Sequence, residues 1–215
     1  GQRPRLLELL LDKKQKMYNI KNNLSLKENY EKGLLPQRNL KDYYYQDENY
    51  SCRSSLQSFS LTSENRRILN KTQDFSFQKL SLSTFNFNNE IQKQIYLWVK
   101  NLGWNFPTSS IKTVFTSHIF NCLYVWRDKE NEICAYSICY FDKDFSLISY
   151  VFYNPLYAHQ DLPIRLALQV AIDSANQNLD YCYLGRFNPE TKLGYYKRNF
   201  PGFEYYINKH WTLYN

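Results

Sequence analysis

The chain has 215 residues, of which 43% are hydrophobic and 18% aromatic, with 20 Tyr and 14 Phe, so it can bury one substantial core and is not a disordered segment. A net charge of +7 favours polyanionic partners, and only six glycines argue against a glycine-rich phosphate loop. No apolar run approaches the ~20 residues of a membrane-spanning helix; Leu6–Leu11 is short and is interrupted by Glu8.

Residues 4–18 predict a helix, with Pro4 in its first turn and the spacing of Leu6, Leu9, Leu10 and Lys13 leaving one apolar face. Asn22-Asn23, Lys32-Gly33 and Pro36 then break the pattern. Residues 1–42 thus read as a basic helical arm with ten Lys/Arg against five Asp/Glu, which suits either polyanion binding or a solvated helix. The folded body is expected over 43–215, starting at Tyr43-Tyr44-Tyr45.

Phe59-Ser-Leu-Thr62 alternates and predicts a strand, running into a short helix over 62–69 with Thr62 or Ser63 as N-cap. Residues 74–85 alternate again. Ile91, Ile95, Trp98, Val99 and Leu102 share one helical face, and Gly103 is a stop signal. Leu123–Trp126 and Ile133–Tyr140 flank the polar tip Asp128–Glu132, a hairpin pattern, and Phe145–Phe152 is a third strand. A helix from about Pro163 to Asn176 follows, then a strand over 179–184, a short helix over 189–198 and a last strand over 203–207. This order predicts one mixed α/β sheet with helices on both faces and no second domain beyond the arm.

The five cysteines (52, 122, 134, 139 and 182) include no CxxC and no Cys/His pair at zinc-ligand spacing. Cys134, Cys139 and Cys182 lie in apolar strand contexts and read as small buried hydrophobes. Dispersed thiols fit a reducing compartment, and no small-residue cleavage site follows the Leu6–Leu11 run, so a cytoplasmic location is expected.

Three segments carry a family resemblance. Ser149-Tyr-Val-Phe-Tyr-Asn-Pro155 leads through the predicted crossover helix to Leu179-Asp-Tyr-Cys-Tyr-Leu-Gly185. Tyr195-Tyr-Lys-Arg-Asn-Phe-Pro-Gly-Phe-Glu204 follows, and Ser63-Glu-Asn-Arg-Arg-Ile-Leu69 matches a Ser-X-X-Arg-Arg-(Ile/Val)-Leu segment. Over residues 45–75 and 120–206 the chain resembles the arginyl-tRNA–protein transferases, whose fold is that of the GNAT acyltransferases. The resemblance implies transfer of an amino acid from an aminoacyl-tRNA donor to the N-terminal α-amine of a protein or peptide, most simply of Arg to an acidic N-terminus. Family members usually carry an N-terminal cysteine cluster; here only Cys52 lies in that region, so neither a metal nor a cofactor is expected.

The resemblance implies substrate contacts at Arg66, Arg67, Tyr196 and Lys197; Gly185 at the strand end, and Arg186 and Arg198 close to it in sequence, join them as candidates. Arg66 and Arg67 point about 100° apart on a helix, so one can face a ligand while the other pairs with an acidic neighbour. The segment after Leu184-Gly185 falls at a strand end where open α/β sheets place ligands. Candidates for proton transfer are Tyr196, Asp161 and His159, which fall near the predicted sheet opening. Acyl-CoA enzymes of this fold hold the pyrophosphate on backbone N–H groups at the start of the crossover helix. The corresponding turn, His159-Gln-Asp-Leu-Pro-Ile164, has no glycine, carries a carboxylate and loses one N–H to Pro163, which disfavours acyl-CoA. Two readings compete with the transferase: a tRNA- or N-terminus-binding module without catalysis, and an acyl-CoA N-acetyltransferase.

Overall fold

The computed structural model describes residues 20–214; the helix expected over 4–18 lies outside the described residues. In chain order the elements are β1 (Ile20–Lys21), α1 (Leu26–Glu31), β2 (Leu35–Pro36), β3 (Tyr43–Tyr45), β4 (Tyr50–Ser55), α2 (Ser63–Lys71), β5 (Ser76–Ser81), α3 (Asn89–Asn101), α4 (Thr108–Thr116), β6 (Cys122–Arg127), β7 (Ile133–Phe141), β8 (Phe145–Tyr153), α5 (Leu162–Asn176), β9 (Tyr181–Phe187), β10 (Phe203–Ile207) and β11 (His210–Leu213). Short 3-10 turns occupy Leu82–Thr84, Pro155–Tyr157 and Tyr195–Asn199.

Eight strands form one sheet in the order β11-β10-β4-β9-β8-β7-β6-β5, and β1-β3-β2 form a small antiparallel sheet beside it. Within the large sheet β8 and β9 run parallel, joined by the α5 crossover, while the other neighbours are antiparallel. Strand β6 shows how the sheet divides the core: Cys122, Tyr124 and Trp126 face one side, Leu123 and Val125 the other. On the first side α2 and α5 bury Ile68, Leu166 and Val170 with Leu184 and Phe187. On the second, α1, α3 and α4 bury Tyr30, Ile95, Val99, Ile111 and Phe115 against Phe145 and Phe152. The mixed α/β architecture with helices on both faces is therefore as the periodicity predicts. Residues 20–42, counted with the arm above, supply β1 and β2 to pair with β3, and Tyr30 sets its ring edge-on to Phe145 at 5.0 Å.

Local chemistry fixes the helix ends. The Thr62 hydroxyl accepts from Asn65 N (3.1 Å) and the Asn65 carboxamide accepts from Thr62 N (3.0 Å), a reciprocal cap that starts α2. Asn88 accepts from Ile91 N (2.9 Å) to start α3, and Gly103, at φ +74°, ends it. A polar ladder fixes α5 to its neighbours. Arg165 donates to Thr72 and to the Gln169 carboxamide, Gln169 to Asp173 (2.9 Å), and the Tyr124 hydroxyl to Asp173 (2.7 Å). Arg165, Gln169 and Asp173 are one helical turn apart on α5, so each satisfies the next, while Thr72 and Tyr124 close the ladder from α2's end and from β6.

Two sequence expectations are corrected. Phe59–Thr62 is not a strand; Phe59 and Leu61 pack on the core from an irregular lead-in to α2, and the strand is the preceding Tyr50–Ser55. The segment 189–198 is not one helix but a tight turn closed by an Asn188–Leu193 bridge, followed by the 3-10 turn at Tyr195–Asn199. Helix α4 and strand β11 have no counterpart in the sequence reading.

A cleft where two parallel strands part

The parallel pairing of β8 and β9 covers only Phe145–Tyr181, Ser146–Cys182 and Leu147–Tyr183. Immediately beyond it both strands carry an extra residue. Ile148 lies opposite Cys139 and Tyr150 opposite Ile138, leaving Ser149 bulged. Across β4 and β9, Tyr183 lies opposite Arg53 and Gly185 opposite Cys52, leaving Leu184 bulged. A bulge bends its strand and ends regular pairing, and two bulges at one level part the strands. The gap opens into a cleft of about 730 Å3, lined by Ser149–Phe152 of β8, Leu184–Arg186 of β9, Gly194, Tyr196 and Lys197, with Arg38, Tyr45, Asp47, Trp104 and Phe106 across its mouth. A cleft of this size beyond the ends of parallel strands is where α/β sheets place ligands.

Lys197 lies at the centre of this wall. Its ammonium donates to the Arg186 carbonyl at 2.9 Å, and it would lie 3.8 Å from a Cβ placed on Gly185. Burial pulls its pKa below the ordinary lysine value; Cys52 opposes this and the Arg186 cation reinforces it. The Cys52 thiol donates to the Gly185 carbonyl at 3.5 Å, and burial pushes its pKa up to about 11, so it is a neutral thiol near pH 7.

Arg186 extends into the cleft mouth and binds Asp47 at 2.9 Å; the Asp47 side chain is 4% exposed and also takes the Asn49 backbone N–H at 2.9 Å. The Tyr196 and Tyr45 hydroxyls have pKa values raised above the ordinary tyrosine range by burial, so both remain neutral donors. Three cations (Arg38, Arg186, Lys197) and one carboxylate (Asp47) line the cleft, so its lining carries net positive charge.

Glycine geometry holds the Lys197 wall in place. Gly194 has φ +62°, and a Cβ there would lie 2.6 Å from the Arg186 carbonyl oxygen and 3.1 Å from the Lys197 ammonium. Gly194→Ala is expected to cost about 2 kcal/mol, a fall of roughly 4–8 °C in melting temperature, and to displace the carbonyl that positions Lys197. Gly103→Ala is the control: φ is +74° but nothing lies within 4 Å of the added carbon. Thermal melts should show the smaller loss at Gly103.

The structure brings Gly185, Arg186, Tyr196 and Lys197 together in the cleft and places the other sequence candidates outside its lining. Arg198 turns away, donating to the Tyr195 carbonyl (2.9 Å) with its guanidinium 3.8 Å from the Tyr195 ring. Arg66 caps back onto the Leu61 carbonyl at 2.7 Å. Arg67 pairs with Glu64 (2.7 Å) and Asp161 (2.9 Å). His159 is exposed on the turn before α5.

That turn bears on the acyl-CoA reading. Asp161 sits at the N-cap of α5 with φ +59° and makes no side-chain cap, and Pro163 removes a donor from the first turn. Arg67 partly neutralises Asp161, yet with Glu64 the cluster still carries net charge −1. A pyrophosphate would meet a carboxylate where an anion-binding helix start presents N–H groups.

Asp47, Arg38, Trp104 and Phe106 were not found from the sequence. They come from the β3–β4 connection, the segment after β2 and the α3–α4 link, and no motif joins them.

No family model matches the chain, and no curated protein matches it. Among solved structures, FemX aligns with a TM-score of 0.53 at 9% identity, covering 94% of this chain and 75% of FemX. L-PGS from Bacillus licheniformis aligns at 0.45 with 14% identity, over 84% of this chain and 58% of that one. A fungal GCN5-related glucosamine N-acetyltransferase region within a multi-domain GH3 β-N-acetylglucosaminidase aligns at 0.49 with 11% identity, over 95% and 22%. The chain thus spans less than two thirds of the length of the last two. Identities this low speak to fold alone, and the shared fold is a mixed α/β sheet flanked by helices, as in FemX.

Proposed function

We propose that the chain is an aminoacyl-tRNA-dependent transferase that moves an amino acid from its ester on the RNA to an N-terminal α-amine of a protein or peptide. The observation that carries this reading is the cleft between β8 and β9, with the Lys197 ammonium fixed on its wall. The resemblance of Tyr196-Lys197 and the surrounding segments to the arginyl-tRNA–protein transferases supports the substrate class. The carboxylate at the start of α5 weighs against an acyl-CoA donor.

The chemistry is aminolysis of an activated ester. The acceptor amine, with a pKa of about 8, attacks as the free base. A C–N bond forms, the carbonyl oxygen becomes an oxyanion, and the bond to the ribose oxygen breaks. The proton lost by the amine is the one the departing ribose hydroxyl gains, so no proton is consumed overall. Lys197 is the cation placed to stabilise the oxyanion, in a setting where burial strengthens the interaction. Among the described residues no free base lines the cleft: the Asp47 carboxylate is held by Arg186, and burial keeps the two tyrosines protonated. Asp161 and His159 are outside the lining. Positioning and charge stabilisation therefore supply the rate.

The resemblance favours Arg as the transferred residue, whereas the three cations of the lining favour an uncharged one. The test mixes purified protein, tRNA charged with labelled Arg or Leu, and peptides beginning with Asp, Glu, Lys or Ala. Label moving to a peptide supports the reading and identifies donor and acceptor. Salt-sensitive tRNA binding without transfer would replace it with a non-catalytic binding module, and retention of acetyl-CoA with peptide acetylation would replace it with an N-acetyltransferase.

A further inference from the structure

Trp104 is 40% exposed, whereas Trp126 is fully buried and Trp98 is 6% exposed. It stands at the cleft mouth, and its position is built. Gly103 turns the chain at the end of α3, and Trp104 N donates to the Val99 carbonyl at 3.0 Å. The indole meets Tyr153 of β8 in a T-shaped contact, with ring centres 5.5 Å apart and planes at 83°, which holds the ring while leaving the side chain 40% exposed. Two residues on, Phe106 packs edge-on against Tyr150 and Phe152, and the Arg38 guanidinium lies 5.2 Å from the Phe106 ring while donating to the Ser110 hydroxyl at 3.2 Å. An exposed indole, an oriented cation in the same lining and a net positive cleft are the chemistry of a site for a base and its phosphate.

We propose that Trp104 is the stacking platform for the terminal base of the RNA donor, with Arg38 pairing the adjoining phosphate. This rests on the transferase reading above and deepens it. Every aminoacyl-tRNA carries its ester on a 3′-terminal adenosine, so a base stacked at the mouth leaves the ester to reach inward towards Lys197. Stacking is tolerant of sequence, which suits an RNA end common to all donors.

The test titrates the full chain with a synthetic ACCA ribotetranucleotide, reading tryptophan fluorescence and an independent binding signal from the labelled RNA. The expected result is quenching in the wild type, affinity about tenfold weaker in Trp104→Ala and within about threefold of wild type in Trp104→Phe. Arg38→Ala should lower the dependence of log affinity on log salt by about one, while Trp104→Ala leaves that slope unchanged. Thermal melts of each variant separate a folding defect from a binding defect. Undiminished RNA affinity in a folded Trp104→Ala protein overturns the platform while leaving the transferase reading standing. Failure of the wild type to bind the tetranucleotide or any charged tRNA overturns both.

Discussion

Lys197→Ala is expected to lower transfer by about 10²–10³-fold while leaving RNA affinity within a few-fold of wild type, because the loss falls on charge developed at the oxyanion. Single-turnover rates with saturating charged tRNA read the first quantity and titration with uncharged tRNA the second. The pH profile adds a second signature. Activity should rise as the acceptor amine, of pKa about 8, loses its proton. It should fall as Lys197 loses its own, at a pH below the ordinary lysine value because burial lowers its pKa. The alkaline limb should therefore be absent from the residual activity of Lys197→Ala.

The same burial has a stability consequence. The unfolded chain binds more protons at Lys197 than the folded one between the lowered folded pKa and the ordinary value, so its burial penalty is greatest at low pH and declines as pH rises through that window. Lys197→Met should thus stabilise the fold most at neutral pH and progressively less towards pH 10.5. An equal effect at both ends of the range would argue that the ammonium is not desolvated.

Arg53→Ala is expected to be the most destabilising single change outside the cleft, by about 3–5 kcal/mol, or roughly 8–15 °C in melting temperature. Arg53 is 6% exposed on β4. It binds Glu204 at 2.9 Å and lies between the Tyr181 and Trp211 rings, 3.7 and 3.9 Å from their centres. Removing it leaves Glu204 without its cation and the two rings without their filling. Arg53→Met with Glu204→Gln should recover much of the loss, since replacing both partners removes the uncompensated charge. Arg53 does not line the cleft, so transfer measured well below the melting temperature should be retained. A loss of activity in folded protein would mean that the β4–β10 end of the sheet takes part in catalysis.

Elements with one clear apolar face were legible from residues alone: α3 from Ile91, Ile95, Trp98 and Val99, the β6–β7 hairpin from its polar tip, and α5 from Leu168, Ala171 and Ile172. Strand β4 is hidden because Tyr50-Ser-Cys-Arg-Ser-Ser55 looks polar; Ser51, Arg53 and Ser54 are buried between β10 and β9, where tertiary pairing overrides propensity. Helix α4 starts at Pro107 without a side-chain cap and owes its place to Ile111, Val114 and Phe115 in the core. Half of the cleft was legible for a similar reason. Gly185, Arg186, Tyr196 and Lys197 lie within thirteen residues of one another, whereas Asp47, Arg38 and Trp104 reach the mouth through long-range packing. The strand separation itself depends on two bulges, at Ser149 and Leu184, that no periodicity announces.

The most direct measurement is amide hydrogen exchange of the full chain with and without an adenosine carrying an amino acid through a stable 3′-amide. New protection is expected at residues 148–152 and 184–197, on the two walls of the cleft, and around Trp104 where the base stacks, and it should persist in Lys197→Ala, whose loss falls on the transition state. Protection centred on the 159–164 turn at the start of α5, or none anywhere, would contradict the claim that this cleft holds the aminoacyl ester.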